Sequence, residues 1–113
     1  MDALERAKAG VNMTTIRIIL TGGTLDSFYD WTKDTAVPLK HSAVPNYIKT
    51  LNLHIKTTFT EICMKDSRSL NDDDRQRIAA LIKKIPEKHI IITHGTYTMA
   101  QTADFLAKKL PRN

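Results

Sequence analysis

IRIILTGGT (residues 16–24) and HIIITHGT (residues 89–96) decide the fold, because both are runs of β-branched apolar residues that end in hydroxyl side chains and glycine. Such runs are typical of strands buried in a parallel sheet, and the glycine allows the turn that follows. Between them, residues 53–62 alternate apolar and polar side chains, which predicts a third strand with one wet face near the edge of the sheet.

Apolar residues at helical spacing separate the strands and follow the last one. The spacing predicts a short helix at 44–51 with Pro45 in its first turn, a second helix that Asn71 caps and Pro86 ends, and a third helix at 99–110. The stripe of the third helix places Met99 in the core. Strands that alternate with helices predict an α/β fold: an open, mainly parallel sheet with flanking helices, in the three-layer arrangement of Rossmann and flavodoxin-like proteins.

The segments outside this pattern are predicted from their composition. We expect residues 1–13 to be an N-terminal tail or a frayed helix, and residues 14–113 to form one α/β domain. Residues 25–42 carry neither a helical nor a strand period, so they predict a long loop of the kind that serves as a lid or a binding loop.

The bulk composition excludes several classes of protein. With 42% hydrophobic and 26% charged residues the chain is predicted to fold, and it contains no apolar run long enough to cross a membrane. The net charge is +5, but lysines cluster at helix ends and only 6% of residues are aromatic, so we predict no nucleic-acid partner. A single cysteine, Cys63, permits neither a disulfide within the chain nor a cysteine metal cluster. We predict a cytoplasmic protein without cofactor, metal or membrane partner.

Hydroxyl-rich segments follow each predicted strand. In open parallel sheets, ligands bind beyond the carboxyl ends of the strands. We therefore expect residues 21–24 (TGGT), 66–68 (DSR) and 94–99 (HGTYTM) to meet there, with hydroxyls and backbone N–H groups that suit an anionic or amide-bearing small molecule. The alternatives are structural: TGGT as a strand-ending turn, and His94 as a histidine bonded to the backbone rather than a metal ligand.

This order of motifs resembles the N-terminal domain of the L-asparaginase and glutaminase family, over residues 16–110. The resemblance implies hydrolysis of a side-chain amide through an acyl-enzyme, with Thr24 as the nucleophile and Thr96 as a second catalytic threonine. It also implies that Tyr29, in the loop after Thr24, is an activating tyrosine, and that Ser67 binds the substrate's α-carboxylate. The substrate-binding residues that it predicts are Thr21, Gly23, Ser67, Arg68, Gly95 and Tyr97.

The sequence departs from the family pattern at three points. The family has an aspartate after HGT that binds the substrate's α-ammonium group, but this chain has Tyr97, and Arg68 stands where many members carry glutamine. These exchanges make the site more positive by about two formal charges, so we predict a preference for an acid without a free amino group. The chain also ends at Asn113, before the strand on which the family carries an activating lysine. We therefore predict an incomplete domain.

These departures leave two functions open. The first is an asparaginase-like amidohydrolase that acts on a small-molecule amide. The second is a catalytically impaired module of the same fold that binds a small carboxylate or serves in assembly. A third function, binding of an anionic polymer, rests on net charge alone. We expect a homo-oligomer, because a truncated sheet has open edges and the resembling family assembles its sites at subunit contacts.

Overall fold

Strand β1, Thr15–Gly22, lies at the centre of the sheet in the computed structural model, which describes residues 14–111. It pairs in parallel with β4, Lys56–Lys65, on one side and with β5, His89–Thr93, on the other. Ile18 lies opposite both Phe59 and Ile91, so these apolar side chains share one face of the sheet. The tail or frayed helix predicted for residues 1–13 lies outside the described residues.

Three helices flank this sheet within residues 14–111: α1, Val44–Thr50, α2, Asp72–Lys84, and α3, Met99–Lys109. Helix α1 precedes β4 on one side of β1, and α2 leads from β4 to β5 on the other side. Because these two right-handed crossovers run in opposite directions, α1 and α2 lie on opposite faces of the sheet. Helices α2 and α3 pack together over β1, around the buried residues Ile19, Ile78, Ala79 and Leu106. The prediction of an open, mainly parallel α/β sheet with flanking helices is confirmed.

The start of α2 is fastened by two residues that bond each other. The side-chain oxygen of Asn71 accepts from the backbone N–H of Asp74 at 2.9 Å, and the Asp74 carboxylate accepts from the backbone N–H of Asn71 at 3.1 Å. Lys65, the last residue of β4, adds an ion pair to Asp74 at 2.8 Å. Asn71 is therefore the predicted cap, and the helix start is tied directly to the end of a strand. Among residues 14–111, no helix has the length and apolarity needed to cross a membrane.

Residues 25–42 do not form the irregular loop that was predicted. Thr24–Asp26 make a turn of 3-10 helix, and β2, Ser27–Asp30, pairs with β3, Thr35–Pro38, in an antiparallel hairpin. The Asp30 side chain accepts from the backbone N–H of Thr32 at 3.0 Å, and Asp34 adopts a φ of 51°. These polar turn residues close the hairpin, because Asp tolerates the left-handed conformation better than most residues.

Strand β4 also differs in detail from its prediction. It begins at Lys56, three residues late, and it lies at the edge of the sheet as expected. Thr58 and Thr60, assigned to the wet face, are half-buried because Arg17 of β1 reaches them from the same face. Arg17 donates to Thr60 Oγ1 at 2.8 Å and to Glu87 at 3.0 Å, and Glu87 also accepts from Thr58 at 3.0 Å.

The predicted core position of Met99 is wrong, since this side chain is 45% exposed. Met99 is the first residue of α3. The buried residues of that helix are Thr102 and Leu106, one turn apart.

We predict that Ile78→Ala lowers the free energy of unfolding by about 2 to 5 kcal/mol, because the fully buried Ile78 side chain leaves a cavity between α2 and the sheet. Urea unfolding followed by circular dichroism measures this change. The control is Gln76→Ala on the exposed side of the same helix, for which a change within about 0.5 kcal/mol is expected. Equal losses in the two variants would contradict the described packing of α2.

Candidate functional site

Two glycines and a serine bring the three predicted segments into contact. A Cβ atom on Gly23 would lie 2.7 Å from the backbone nitrogen of Gly95, and one on Gly95 would lie 2.8 Å from Ser67 Oγ. Gly23 also has a φ of 90°, a conformation that side chains disfavour. The turns after β1, β4 and β5 can therefore touch only because these glycines lack side chains.

The course of the chain opens a crevice at this point. The loop that leaves β1 leads to α1 on one face of the sheet, whereas the loop that leaves β5 leads to α3 on the face that α2 also covers. Neighbouring strands whose loops diverge in this way form the usual ligand-binding crevice of an open α/β sheet. The TGGT and HGT motifs lie on its two sides.

Thr24 and Thr96 follow the two touching glycines, and both are exposed to solvent. Thr24 begins the 3-10 turn, which Ser27 supports by donating from its hydroxyl to Gly23 O at 2.8 Å. Two accessible hydroxyls, one from each motif, thus stand next to the same backbone contact. An accessible hydroxyl beside backbone N–H groups is the minimum that acyl transfer requires.

Asp26 fixes the turn that carries Thr24. This aspartate is only 1% exposed, and its carboxylate accepts from the Ser42 hydroxyl at 2.5 Å and from the backbone N–H of Ala43 at 2.9 Å. It therefore joins the TGGT turn to the segment just before α1. Sequence reasoning missed this role, because the partners lie at least sixteen residues away.

Ser67 is the most unusual polar group of the site. Its side chain is buried, with 2% of the residue exposed, and its hydroxyl has no hydrogen-bond partner among the described residues. Its carbonyl oxygen accepts from the Thr98 hydroxyl at 2.8 Å, which fixes the turn to the start of α3. Since buried polar groups are almost always paired, this hydroxyl is suited to a group that enters the crevice.

The Thr21 hydroxyl forms a hydrogen bond within the sheet. Its hydroxyl donates to Thr93 O at 2.5 Å, and Thr21 is 1% exposed. This bond ties the end of β1 to the end of β5, so a ligand could use the Thr21 hydroxyl only if the bond broke.

His94 is held in one orientation by a chain of hydrogen bonds. A carbonyl can only accept, so His94 Nδ1–H donates to Gly95 O at 2.5 Å, and Nε2 then accepts from the Thr102 hydroxyl at 2.8 Å. Thr102 in turn accepts from the buried Arg75 Nε at 2.9 Å. The structure therefore places His94 in a supporting role for the HGT turn. Nothing in the local sequence indicated Arg75 and Thr102, because both lie in otherwise ordinary helices.

The hydroxyl of Tyr29, the predicted activating tyrosine, is engaged within its own hairpin. It lies on β2 with 61% of its surface exposed, and its hydroxyl donates to Asp34 in the same hairpin. The hydrogen bond to Asp34 raises the pKa of Tyr29 above its usual value. A raised pKa disfavours the phenolate, the form that would remove a proton from a threonine.

Arg68 and Tyr97 form a stacked pair at the surface of the site. The guanidinium carbon of Arg68 lies 4.7 Å from the centre of the Tyr97 ring. Asp66 holds the same guanidinium from the side, at 3.1 Å from Nε and 2.9 Å from Nη2, and these hydrogen bonds from Arg68 lower the pKa of Asp66. Arg68 and Tyr97, the residues that follow Ser67 and Thr96, therefore contact each other.

The remaining candidates are a metal site, the Cys63 thiol and a cavity at the other end of the sheet. Within residues 14–111, His, Cys, Asp and Glu do not gather in a group that could hold a metal ion. Burial raises the pKa of the half-buried Cys63 thiol, which makes it a poor nucleophile. A cavity of about 620 Å³ lies at the opposite, amino-terminal end of the sheet, near Lys56 and residues 86–89. The Ser67 hydroxyl and the crevice between β1 and β5 favour the carboxyl-terminal end instead.

The chain is similar to known proteins over most of its length. Residues 15–113 match the family model described as asparaginase, N-terminal. A probable cytoplasmic L-asparaginase from Campylobacter jejuni is 28% identical with a TM-score of 0.65, over 82% of this chain and 28% of that one. L-asparaginase I from Vibrio cholerae is 25% identical with a TM-score of 0.65, over 84% and 30% of the two chains.

A third solved structure shares the fold. The thermostable L-asparaginase from Thermococcus kodakarensis has a TM-score of 0.67 at 24% identity, over 84% of this chain and 30% of that one. The chain spans less than a third of the length of each of these solved structures. No curated protein sequence matches it.

We predict that Gly95→Ala lowers the free energy of unfolding by about 1 to 3 kcal/mol, because the new methyl group would overlap Ser67 Oγ and Cβ. Ser67→Gly removes both of those atoms, so the loss caused by Gly95→Ala should shrink in the Ser67→Gly background. A double-mutant cycle of urea unfolding measures this coupling. Strictly additive losses would contradict the contact between the two turns.

A second prediction concerns acid stability. Burial alone would raise the pKa of Asp74, but hydrogen bonds from Lys65 and from the Asn71 backbone outweigh it and lower the pKa. Asp74 therefore contributes stability that is present above its unfolded pKa of about 3.9 and is lost as the pH falls through the folded value. In unfolding measured from neutral pH downward, Asp74→Asn should start less stable and lose less stability below about pH 4. Asp73→Asn, an exposed acid of the same turn, should keep the wild-type slope.

Proposed function

Since the chain belongs to the asparaginase family through its N-terminal domain, we propose that it forms an amidohydrolase domain that cleaves the side-chain amide of asparagine or of a related small amide. One observation carries the proposal: Gly23, Gly95 and Ser67 bring the three motif segments into contact, with Thr24 and Thr96 exposed beside them. The three solved L-asparaginases share this fold.

In the proposed reaction, Thr24 is the nucleophile. Its oxygen attacks the amide carbon, and the bond between that carbon and the amide nitrogen breaks. The threonine proton ends on the leaving nitrogen, which departs as ammonia. The resulting ester is hydrolysed by water, which releases the acid and restores the Thr24 hydroxyl. Thr96, which is exposed in the HGT turn, is proposed to polarise the same amide.

Ser67 is proposed to bind the carboxylate of the substrate. Its buried hydroxyl has no partner among residues 14–111, so donation to a carboxylate oxygen would satisfy it. Gly95 packs directly against this hydroxyl, so the turn after β5 would have to give slightly for a ligand oxygen to reach it. A hydrogen bond to the ligand would thus pair a buried hydroxyl that otherwise has no partner among the described residues.

The second candidate is a carboxylate-binding module that has lost catalysis. The state of Tyr29 favours it, because its hydroxyl is engaged by Asp34 and its raised pKa opposes proton removal from Thr24. Such a module would keep the Ser67 contact and lack turnover. Binding without release of ammonia would separate it from the enzyme.

We also propose that the protein works in the cytoplasm as a homo-oligomer. The cytoplasmic assignment is supported by the free thiol of Cys63 and by one matched structure described as a probable cytoplasmic enzyme. The oligomer is supported by the sheet itself. Within the described part of the chain, β4 and β5 form its two edges, and open edges are usually covered by another chain or segment.

The proposed hydrolysis predicts that the protein releases ammonia from asparagine or a related small amide, and that Thr24→Ala abolishes the release because it removes the attacking oxygen. A coupled ammonia assay measures the rate. Thr50→Ala, an exposed threonine of α1, is the matched control and should leave the rate unchanged.

Circular dichroism should show that the Thr24→Ala protein is folded, since Thr24 is exposed and has little packing to lose. A Thr24→Ala variant that still releases ammonia at the wild-type rate would disprove the nucleophile.

A further inference from the structure

The carboxylates of the three site segments are already engaged. Residues 21–26, 65–70 and 93–99 contain two acidic residues, Asp26 and Asp66. Asp26 is buried and accepts from Ser42 and Ala43, and Asp66 accepts from the backbone N–H of Arg68 at 2.8 Å as well as from its guanidinium. A ligand's ammonium group could gain a carboxylate from these segments only by breaking one of these sets of bonds, at considerable cost.

A negatively charged ligand meets a different environment. Asp66 uses Nε and Nη2 of Arg68, so Nη1 is not part of that ion pair, and the Arg68 side chain is 59% exposed. Stacking on Tyr97 and pairing with Asp66 restrict the guanidinium to one position, so little side-chain entropy remains to be lost when an anion binds. Ser67, the preceding residue, supplies the unpaired hydroxyl.

The geometry points to a substrate class within the proposed function, on which this inference rests: the site takes monoamides of short dicarboxylic acids that carry no α-amino group. Ser67 and Arg68 bind the carboxylate, and Tyr97 stacks on Arg68 without adding a negative charge that could pair with an ammonium group. Hydrolysis converts such a monoamide and water into the dicarboxylate and ammonia, with no oxidant, reductant or further reactant.

The binding experiment compares two products that differ by one amino group. Isothermal titration with succinate and aspartate should show that succinate binds about tenfold tighter or better. Arg68→Gln should weaken succinate binding by about tenfold, whereas Arg77→Gln, an exposed arginine of α2, should leave it unchanged. Adding Tyr97→Asp to Arg68→Gln should reverse the preference, so that aspartate binds tighter than succinate. Both positions are exposed, so these variants should fold.

The kinetic experiment separates this inference from the proposed hydrolysis. Ammonia release is measured from succinamate and from asparagine, and a higher kcat/KM for succinamate supports the inference. If neither amide is hydrolysed but succinate still binds tighter than aspartate, the hydrolysis fails and the ligand class stands. Aspartate binding as tightly as succinate, faster hydrolysis of asparagine, or no binding of either acid would each overturn the ligand class.

Discussion

The absence of two side chains is the constraint on which the rest of the structure depends. Gly23 lets the turns after β1 and β5 touch backbone to backbone, and Gly95 lets the turn after β5 pack against the Ser67 side chain. A methyl group at either glycine would push the turns apart and separate Thr24 from Thr96. The shape of the candidate site therefore depends on these glycine contacts before it depends on the identity of the hydroxyl groups.

Each of the three turns is also anchored to a helix by polar groups with distant partners. Asp26 joins the first turn to the start of α1, Lys65 joins the end of β4 to the cap of α2, and Arg75 reaches through Thr102 to His94. These bonds are buried or half-buried, where hydrogen bonds to charged groups contribute more than at the surface. The helices therefore set the positions of the hydroxyl-bearing turns, and the site moves only if the packing of the domain changes.

Most of the fold and part of the site could be predicted from the sequence, because the signals were local. The apolar runs of β1 and β5 and the Asn71 cap are each recognisable from a few consecutive residues. The hairpin of β2 and β3 could not be predicted, because Phe28 and Tyr29 are both exposed and a hairpin without a buried face shows no alternation. The bonds from Ser42 and Ala43 to Asp26 and from Thr102 to His94 could not be predicted either, since tertiary packing brings these residues together.

The half-buried ion pair between Arg17 and Glu87 stabilises the sheet at the end opposite the crevice. Through Thr58 and Thr60, this pair binds β1, β4 and the segment before β5 at their amino-terminal ends, far from the crevice. The strands are thus held together by an ion pair and its hydrogen bonds at the amino-terminal end of the sheet. At the carboxyl-terminal end, the contacts of Gly23 and Gly95 determine how the turns pack. Positions 68 and 97 are exposed at the other end of the sheet, so exchanges there leave these anchoring contacts intact, and the surface of the candidate site can vary while the architecture is retained.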